Sequence, residues 1–414
     1  MLPVAVSPAV AGEGRETGVC APSGFVAGAA AADIRDHGGD GRLDVAIVRS
    51  QRPCQAAGVF TRNLVKAAPV VISQLTLRQG RVQAVLFNSG NANACTGVQG
   101  FRDALAMCKA AGDACDLDPA QILVCSTGVI GRPMPMPRVL GGVRAAAAAL
   151  GPDAGDGVAR AIMTTDTRPK QAVRRVEIGG RPVVVGGVAK GSGMIHPDMA
   201  TLLALVTTDA PVADGVLQPL LRRVTDQTFN CVTVDGDTST NDTLLMLANG
   251  AAGGEPVSAG GGGLAALETA VLEVCDELAE MVAADGEGAT CHFRVEVRGA
   301  ATVEQARLAA RTVAGSPLVK TAIHGCDPNW GRIVAAVGRS GAAFVLDRCR
   351  VVIGGIPVFV GGAPVDADLE AIRCIFGGRR VDLGIDLGAG EAVGHAWGCD
   401  LSDGYVRINA DYTT

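Results

Sequence analysis

Charge is scarce and scattered. Asp, Glu, Lys and Arg make up 19% of the chain, and no block of like charges occurs along it. That absence excludes the electrostatic footprint of a nucleic-acid binder and the polybasic segment of a membrane-surface protein. The five histidines, His37, His196, His292, His324 and His395, lie far apart and never at HExxH spacing, so no metal site is expected. The 13 cysteines, spread from Cys20 to Cys399, include no CxxC pair. Zinc knuckles and a disulfide framework are thereby set aside in favour of buried free thiols. No run approaches the roughly 20 apolar residues a membrane helix needs. The opening MLPVAVSPAVAGEGRETG has neither a basic start nor an unbroken apolar stretch, so no secretory leader is expected and a cytoplasmic location is. Phosphate-cradling signatures, GxxxxGK[ST] or a strand-linked GxGxxG, are also missing.

What is there is a chain of 414 residues, 48% of them hydrophobic, with a formal net charge of -6. That suffices for one large or two ordinary domains with a substantial core. The expected partners are small molecules or other subunits. Short β-rich runs (LDVAIVRS, AGVFT, APVVIS, VQAVLFNSG, QILVCS, PVVVGGVAK) fill much of the first 200 residues, many bounded by Gly, Pro or Asn. The clearest helix runs from Leu264 to Ala284, where Leu264, Leu267, Val271, Val274, Leu278 and Met281 recur on one face. Weaker helical patterns lie near Phe101 to Ala111, Val216 to Thr228, Val303 to Val313 and Val365 to Ile375. The 56 glycines serve turns first, and Gly260 to Gly263 reads as a lead-in to the long helix. Strand clusters alternating with amphipathic helices predict a layered α+β protein.

The segment that carries chemistry is KGSGMIHPDMATLLALVTTDA, Lys190 to Ala210, a Gly-rich loop running through Ala200 and Thr201 into a hydrophobic strand. Alone, a threonine opening a strand is a good strand former. Its hydroxyl becomes a nucleophile when a base lies within hydrogen-bond reach, and a free N-terminal amine on the same residue is such a base. A chain exposes that amine internally by breaking the peptide bond before the threonine. The small Ala200 leaves its carbonyl open to attack by the Thr201 hydroxyl, and water then hydrolyses the resulting ester.

With these residues, the sequence resembles the glutamate N-acetyltransferases, or ornithine acetyltransferases, of arginine biosynthesis. The resemblance runs in order through APSGF, NSGNANACTG, STGVIG, AIMTTDTRPK, KGSGMIHPDMATLL, FNCVTVDGDTSTNDT, DGEGAT, HGCDPNWGR and the terminal NADYTT, nearly the whole chain. It implies stacked β-sheets between helices, similar to N-terminal-nucleophile hydrolases but differently connected. It also implies self-cleavage between Ala200 and Thr201 into an N-terminal chain, residues 1–200, and a C-terminal chain, residues 201–414, with two copies of each in the assembly. Thr201 is then the nucleophile that carries acetyl from N2-acetylornithine to glutamate.

Further roles follow from the same resemblance. Thr127 and Gly128 of STGVIG would stabilise the oxyanion of acyl transfer. Lys190 would receive the substrate carboxylate, Glu287 an ornithine ammonium group, and Thr164, Asn409 and Thr414 the substrate backbone. No cofactor is implied; some members of the family also accept acetyl-CoA, which is open here as a substrate. Asp198 stands where asparagine is expected, and no role is derived for His324 to Arg332. Two other functions fit such a scaffold: an amidase or aminopeptidase in which water resolves the acyl-enzyme, and a paralogue that binds or acetylates something else.

Overall fold

The computed structural model describes residues 18–36, 38–196 and 202–411. The chain begins with β1 (Phe25–Ala30), the long β2 (Val45–Phe60), α1 (Ala68–Gln79), β3 (Val82–Asn88), α2 (Gly97–Cys115) and β4 (Ile122–Ser126). Next come α3 (Met136–Ala148), α4 (Gly155–Ala161), β5 (Lys170–Ile178), β6 (Arg181–Lys190), β7 (Leu203–Thr208), α5 (Leu217–Gln227), β8 (Val232–Thr233) and β9 (Thr243–Ala248). After α6 (Gly262–Ala284) follow β10 (His292–Ala300), α7 (Val303–Ala314), α8 (Pro317–His324), α9 (Trp330–Gly338), β11 (Arg350–Ile353), β12 (Ile356–Val360) and β13 (Ala363–Pro364). The remainder is α10 (Leu369–Phe376), β14 (Arg380–Asp386), β15 (Ala392–Cys399) and α11 (Asp403–Asp411).

These strands form two sheets. One is ordered β4-β3-β2-β9-β7-β6-β5, with β1 added beside β2; the other is β13-β12-β11-β14-β10-β15-β8. In the first, β3, β7 and β9 are buried along their whole length, in keeping with their largely apolar sequences. Strands from both sides of position 201 interleave: β7 lies antiparallel to β6 with Lys190 opposite Leu203, and parallel to β9 with Leu203 opposite Thr243. In turn β9 pairs with β2. Helix α6 packs on β5 and β6 and also touches β15 and β10, so it joins the two sheets. Its Leu267, Val271, Val274 and Leu278 are fully buried, each contributing roughly 1.5–3 kcal/mol by the area rule.

The mixed α+β class holds. The glycine lead-in ends at the N-cap Gly261, and Gly262 and Gly263 already belong to α6. One strand reading is overturned: APVVIS opens α1. Pro69 sits in its first turn, where a missing N–H costs nothing. Ser73 and Thr76 join Pro69 and Ile72 on a buried face at helical spacing. Ser73 Oγ donates to Val124 O at 2.7 Å and accepts from Val124 N at 2.9 Å, docking α1 on β4. That tertiary contact outweighs the β-preference of a Val-Val-Ile run. All 13 cysteines are free, most of them buried. No helix among the described residues is long and apolar enough to cross a membrane.

Candidate active site

Strands β3 and β4 are parallel partners that end together at Asn88 and Ser126, so the two loops that follow, NSGNANACTG and STGVIG, meet. Ser126 Oγ donates to Asn88 Oδ1 at 2.5 Å, and Thr127 N donates to Asn88 O at 3.0 Å. Gly128 has φ of +128° and lies so close to the neighbouring loop that an added Cβ would sit 2.4 Å from Gly90 C. Only glycine fits there without displacing the backbone. Thr127 is thereby held, buried, at the lip of a cleft.

The opposite wall is built on buried charge. Lys170 Nζ, at the start of β5, bonds Asp166 Oδ1 at 2.6 Å and Asp285 Oδ2 at 2.5 Å, all three side chains within 3% of full burial. Asp166 also accepts from Thr164 N at 3.0 Å and Gly191 N at 2.7 Å, while Arg42 donates to Thr164 O at 2.7 Å. The Thr164 turn, the end of β6 and the end of α6 are therefore pinned to one ion cluster. Burial works to raise the Asp166 carboxyl, but Lys170 and Lys190 with these hydrogen bonds overcome it and hold its pKa at about 2.

Lys190 closes β6 and is buried. Burial pushes its ammonium pKa down, reinforced by Lys170 and opposed by Asp166, Asp242 and Glu287. A buried cation facing a polar cleft suits a carboxylate ligand. Beside it, Glu287 N donates to Ser192 O at 2.9 Å, and the half-buried Glu287 side chain lies directly over Gly193, where a Cβ would come 2.3 Å from Glu287 Cδ. Asn409 on α11 donates to Glu287 Oε2 at 2.8 Å.

Thr127, Gly128, Thr164, Lys190, Glu287 and Asn409 thus line a single cleft. Ala200, Thr201, Thr414 and Asp198 lie outside the described residues. Several lining groups were not singled out from the sequence. Asp235 accepts from Met194 N at 2.6 Å, Ile195 N at 2.9 Å and Tyr405 OH at 3.3 Å. Thr165 Oγ1 and Ser192 Oγ share a hydrogen bond of 2.8 Å. Asn241 donates to Ala92 O at 2.6 Å and Ser126 O at 2.9 Å. The signal available was the clustering of Asp, Thr and Asn in FNCVTVDGDTSTNDT ahead of the apolar β9.

The HGCDPNWGR segment is not part of this lining. His324 Nδ1 bonds Asp400 Oδ2 at 2.8 Å, and Asp400 caps Thr290 N at 2.8 Å and Cys291 N at 3.0 Å. It braces the chain just after the Glu287 turn.

Fold and cleft together define an α+β protein with a polar site flanked by a buried cation and a carboxylate. Residues 26–414 match the ArgJ family. The chain is similar to the arginine biosynthesis bifunctional protein ArgJ of Symbiobacterium thermophilum, 53% identical over 397 residues that cover 96% of this chain and 98% of that one. The protein of the same description from Parasynechococcus marenigrum is 46% identical over 399 residues, covering 96% and 95%. A crystal structure of ornithine acetyltransferase complexed with ornithine, from Mycobacterium tuberculosis, is 42% identical with a TM-score of 0.40, covering 45% of this chain and 96% of that one. The chain belongs to the ArgJ family.

Proposed function

We propose that this chain is the acetyltransferase of arginine biosynthesis that moves acetyl from N2-acetylornithine to glutamate, using Thr201 after the chain has cut itself between Ala200 and Thr201. The observation that carries this reading is the single cleft that gathers Thr127, Gly128, Thr164, Lys190, Glu287 and Asn409 from distant parts of the sequence. The strand that follows Thr201 begins opposite Lys190, so the nucleophile's own chain leads to the cleft.

In the cut, Thr201 Oγ attacks the Ala200 carbonyl carbon, the C–N bond breaks, and the acyl group passes to oxygen while the nitrogen becomes a free amine. Water hydrolyses that ester to the Ala200 carboxylate and the Thr201 hydroxyl. In turnover, the amine takes the hydroxyl proton as Oγ attacks the acetyl carbonyl of N2-acetylornithine. The proton then passes to the departing α-amine of ornithine. The α-amine of glutamate attacks the acetyl ester, the C–Oγ bond breaks, and the proton returns to Oγ. Exchanging one amide for a similar one costs little free energy, so no activated donor is required.

Within this reading, Thr127 and Gly128 stabilise the oxyanion, Lys190 takes the substrate carboxylate, and Glu287 takes the ornithine side-chain ammonium. Thr164, Asn409 and Thr414 bind the rest of the substrate. Residues 1–200 and 201–414 stay together as two chains, two copies of each. The pairing of β6 with β7 and of β2 with β9 supports their cohesion, since each pair crosses the cut. Acetyl-CoA is a second acetyl donor to be tried.

Intact mass and N-terminal sequencing of the purified protein and of Thr201→Ala test the reading, followed by incubation with N2-acetylornithine and saturating glutamate. Two chains, one starting at Thr201, an uncut mutant and N-acetylglutamate as product are expected. A single uncut wild-type chain that still transfers acetyl would refute the mechanism, and acetate in place of N-acetylglutamate would mark a hydrolase.

A further inference from the structure

Asp242 is fully buried just ahead of β9, and its Oδ1 accepts from Leu202 N at 3.0 Å. The next residue completes the grip, because Thr243 N donates to Leu202 O at 2.9 Å. Leu202 is therefore held on both its amide and its carbonyl by two adjacent residues, the second of which opens β9. Its amide belongs to the peptide plane that contains the carbonyl of the preceding residue.

The same short segment also grips the opposite side of the cleft. Asn241 Nδ2 donates to Ala92 O and Ser126 O, the latter just ahead of Thr127. Among the described residues no hydrogen bond of good geometry reaches the buried Asp242 Oδ2, although the Ser239 and Thr61 side chains act on the same carboxyl.

We propose that Asp242 is a positioning residue: its carboxyl, with the Thr243 amide, fixes Leu202, the residue that follows the proposed nucleophile, while the neighbouring Asn241 holds the chain ahead of Thr127. This inference rests on the reading of Thr201 given above. Burial drives the Asp242 carboxyl well above the usual carboxylate range, against the opposing pull of the Leu202 N–H and Lys190. An asparagine amide reproduces the shape of the carboxyl and the acceptor that receives the Leu202 N–H.

The test compares Asp242→Ala, Asp242→Val and Asp242→Asn with the wild-type full chain. Readouts are the rate of conversion to two chains by intact mass, the melting temperature, and kcat and KM for both substrates on the matured enzyme. Loss of positioning at the nucleophile is expected to slow cutting and lower kcat by roughly 100-fold in the alanine variant, with KM little changed. Asparagine is expected to recover most of that loss. Valine conserves volume without an acceptor and should behave as alanine does, which keeps the test decisive where the alanine cavity prevents folding.

A folded alanine or valine variant that cuts and turns over at the wild-type rate, with only its melting temperature lowered, would overturn the inference. So would an asparagine variant as slow as alanine, because the carboxyl would then act through its charge. Wild-type protein that never cuts would remove both this inference and the reading beneath it, whereas a wild type that cuts isolates the fate of Asp242.

Discussion

Asn409 Nδ2 donates to Glu287 Oε2 at 2.8 Å, tying the last helix of the chain to the turn that ends its longest one. The same amide also donates to Tyr405 O at 3.1 Å, so the contact is anchored within α11. Under the proposed reading, the other oxygen of Glu287 meets the ornithine ammonium group. Glu287→Gln is expected to raise KM for N2-acetylornithine by about tenfold, close to 1.4 kcal/mol, with kcat changed far less. Steady-state kinetics at saturating glutamate would check this, and an unchanged KM would remove Glu287 from substrate binding.

The Thr127–Gly128 turn leaves no room for a side chain. Gly128→Ala has to accommodate both φ of +128° and a contact of 2.4 Å with Gly90 C. The neighbouring loop must shift, and the groups proposed to face the oxyanion shift with it. A fall in kcat of about 100- to 1,000-fold is expected in protein that still folds. Circular dichroism alongside the kinetics would separate that from global loss of structure.

The cluster of Lys170, Asp166 and Asp285 makes stability depend on acid. The folded-state pKa of Asp166, about 2, lies below its ordinary value. The unfolded chain therefore binds the proton first as pH falls. Its contribution is fully present above about pH 4, the unfolded value, and is lost as pH falls through 2. Lys170→Met would leave two buried carboxylates without their cation and should cost about 3–5 kcal/mol. Urea unfolding at neutral pH measures that cost.

Thiol reactivity should be sharply uneven. Cys95 and Cys374 are exposed, whereas burial pushes the Cys54 and Cys108 thiols up to about 12. Iodoacetamide at neutral pH is expected to label Cys95 and Cys374 within minutes and to spare Cys54 and Cys108 until the protein is unfolded. Peptide mapping after timed quenching would show the order of labelling, and early modification of Cys54 would contradict the packing around β2.

Much of the cleft was legible because its residues sit in long, distinctive motifs. Thr127, Gly128, Thr164, Lys190, Glu287 and Asn409 were each named from sequence, and the structure brings them together. What sequence did not supply was pairing at a distance. Lys170 and Asp285 are 115 residues apart, and Asp242 reaches Leu202 across 40, with no periodicity to connect them. The helix α1 escaped for a related reason. Its β-branched run reads as strand locally, and the deciding Ser73 contact with Val124 is a tertiary one. The helices α6 and α7 were placed within a few residues because their burial is periodic along the chain.

The interleaving of β6, β7, β9 and β2 bears on mass action. A chain severed after residue 200 is two molecules sharing one sheet, so unfolding would release two species where the uncut chain releases one. The melting temperature of the cut form should then rise with protein concentration, while that of the uncut chain contributes no such term from this sheet. Maturation would trade a unimolecular stability for a bimolecular one.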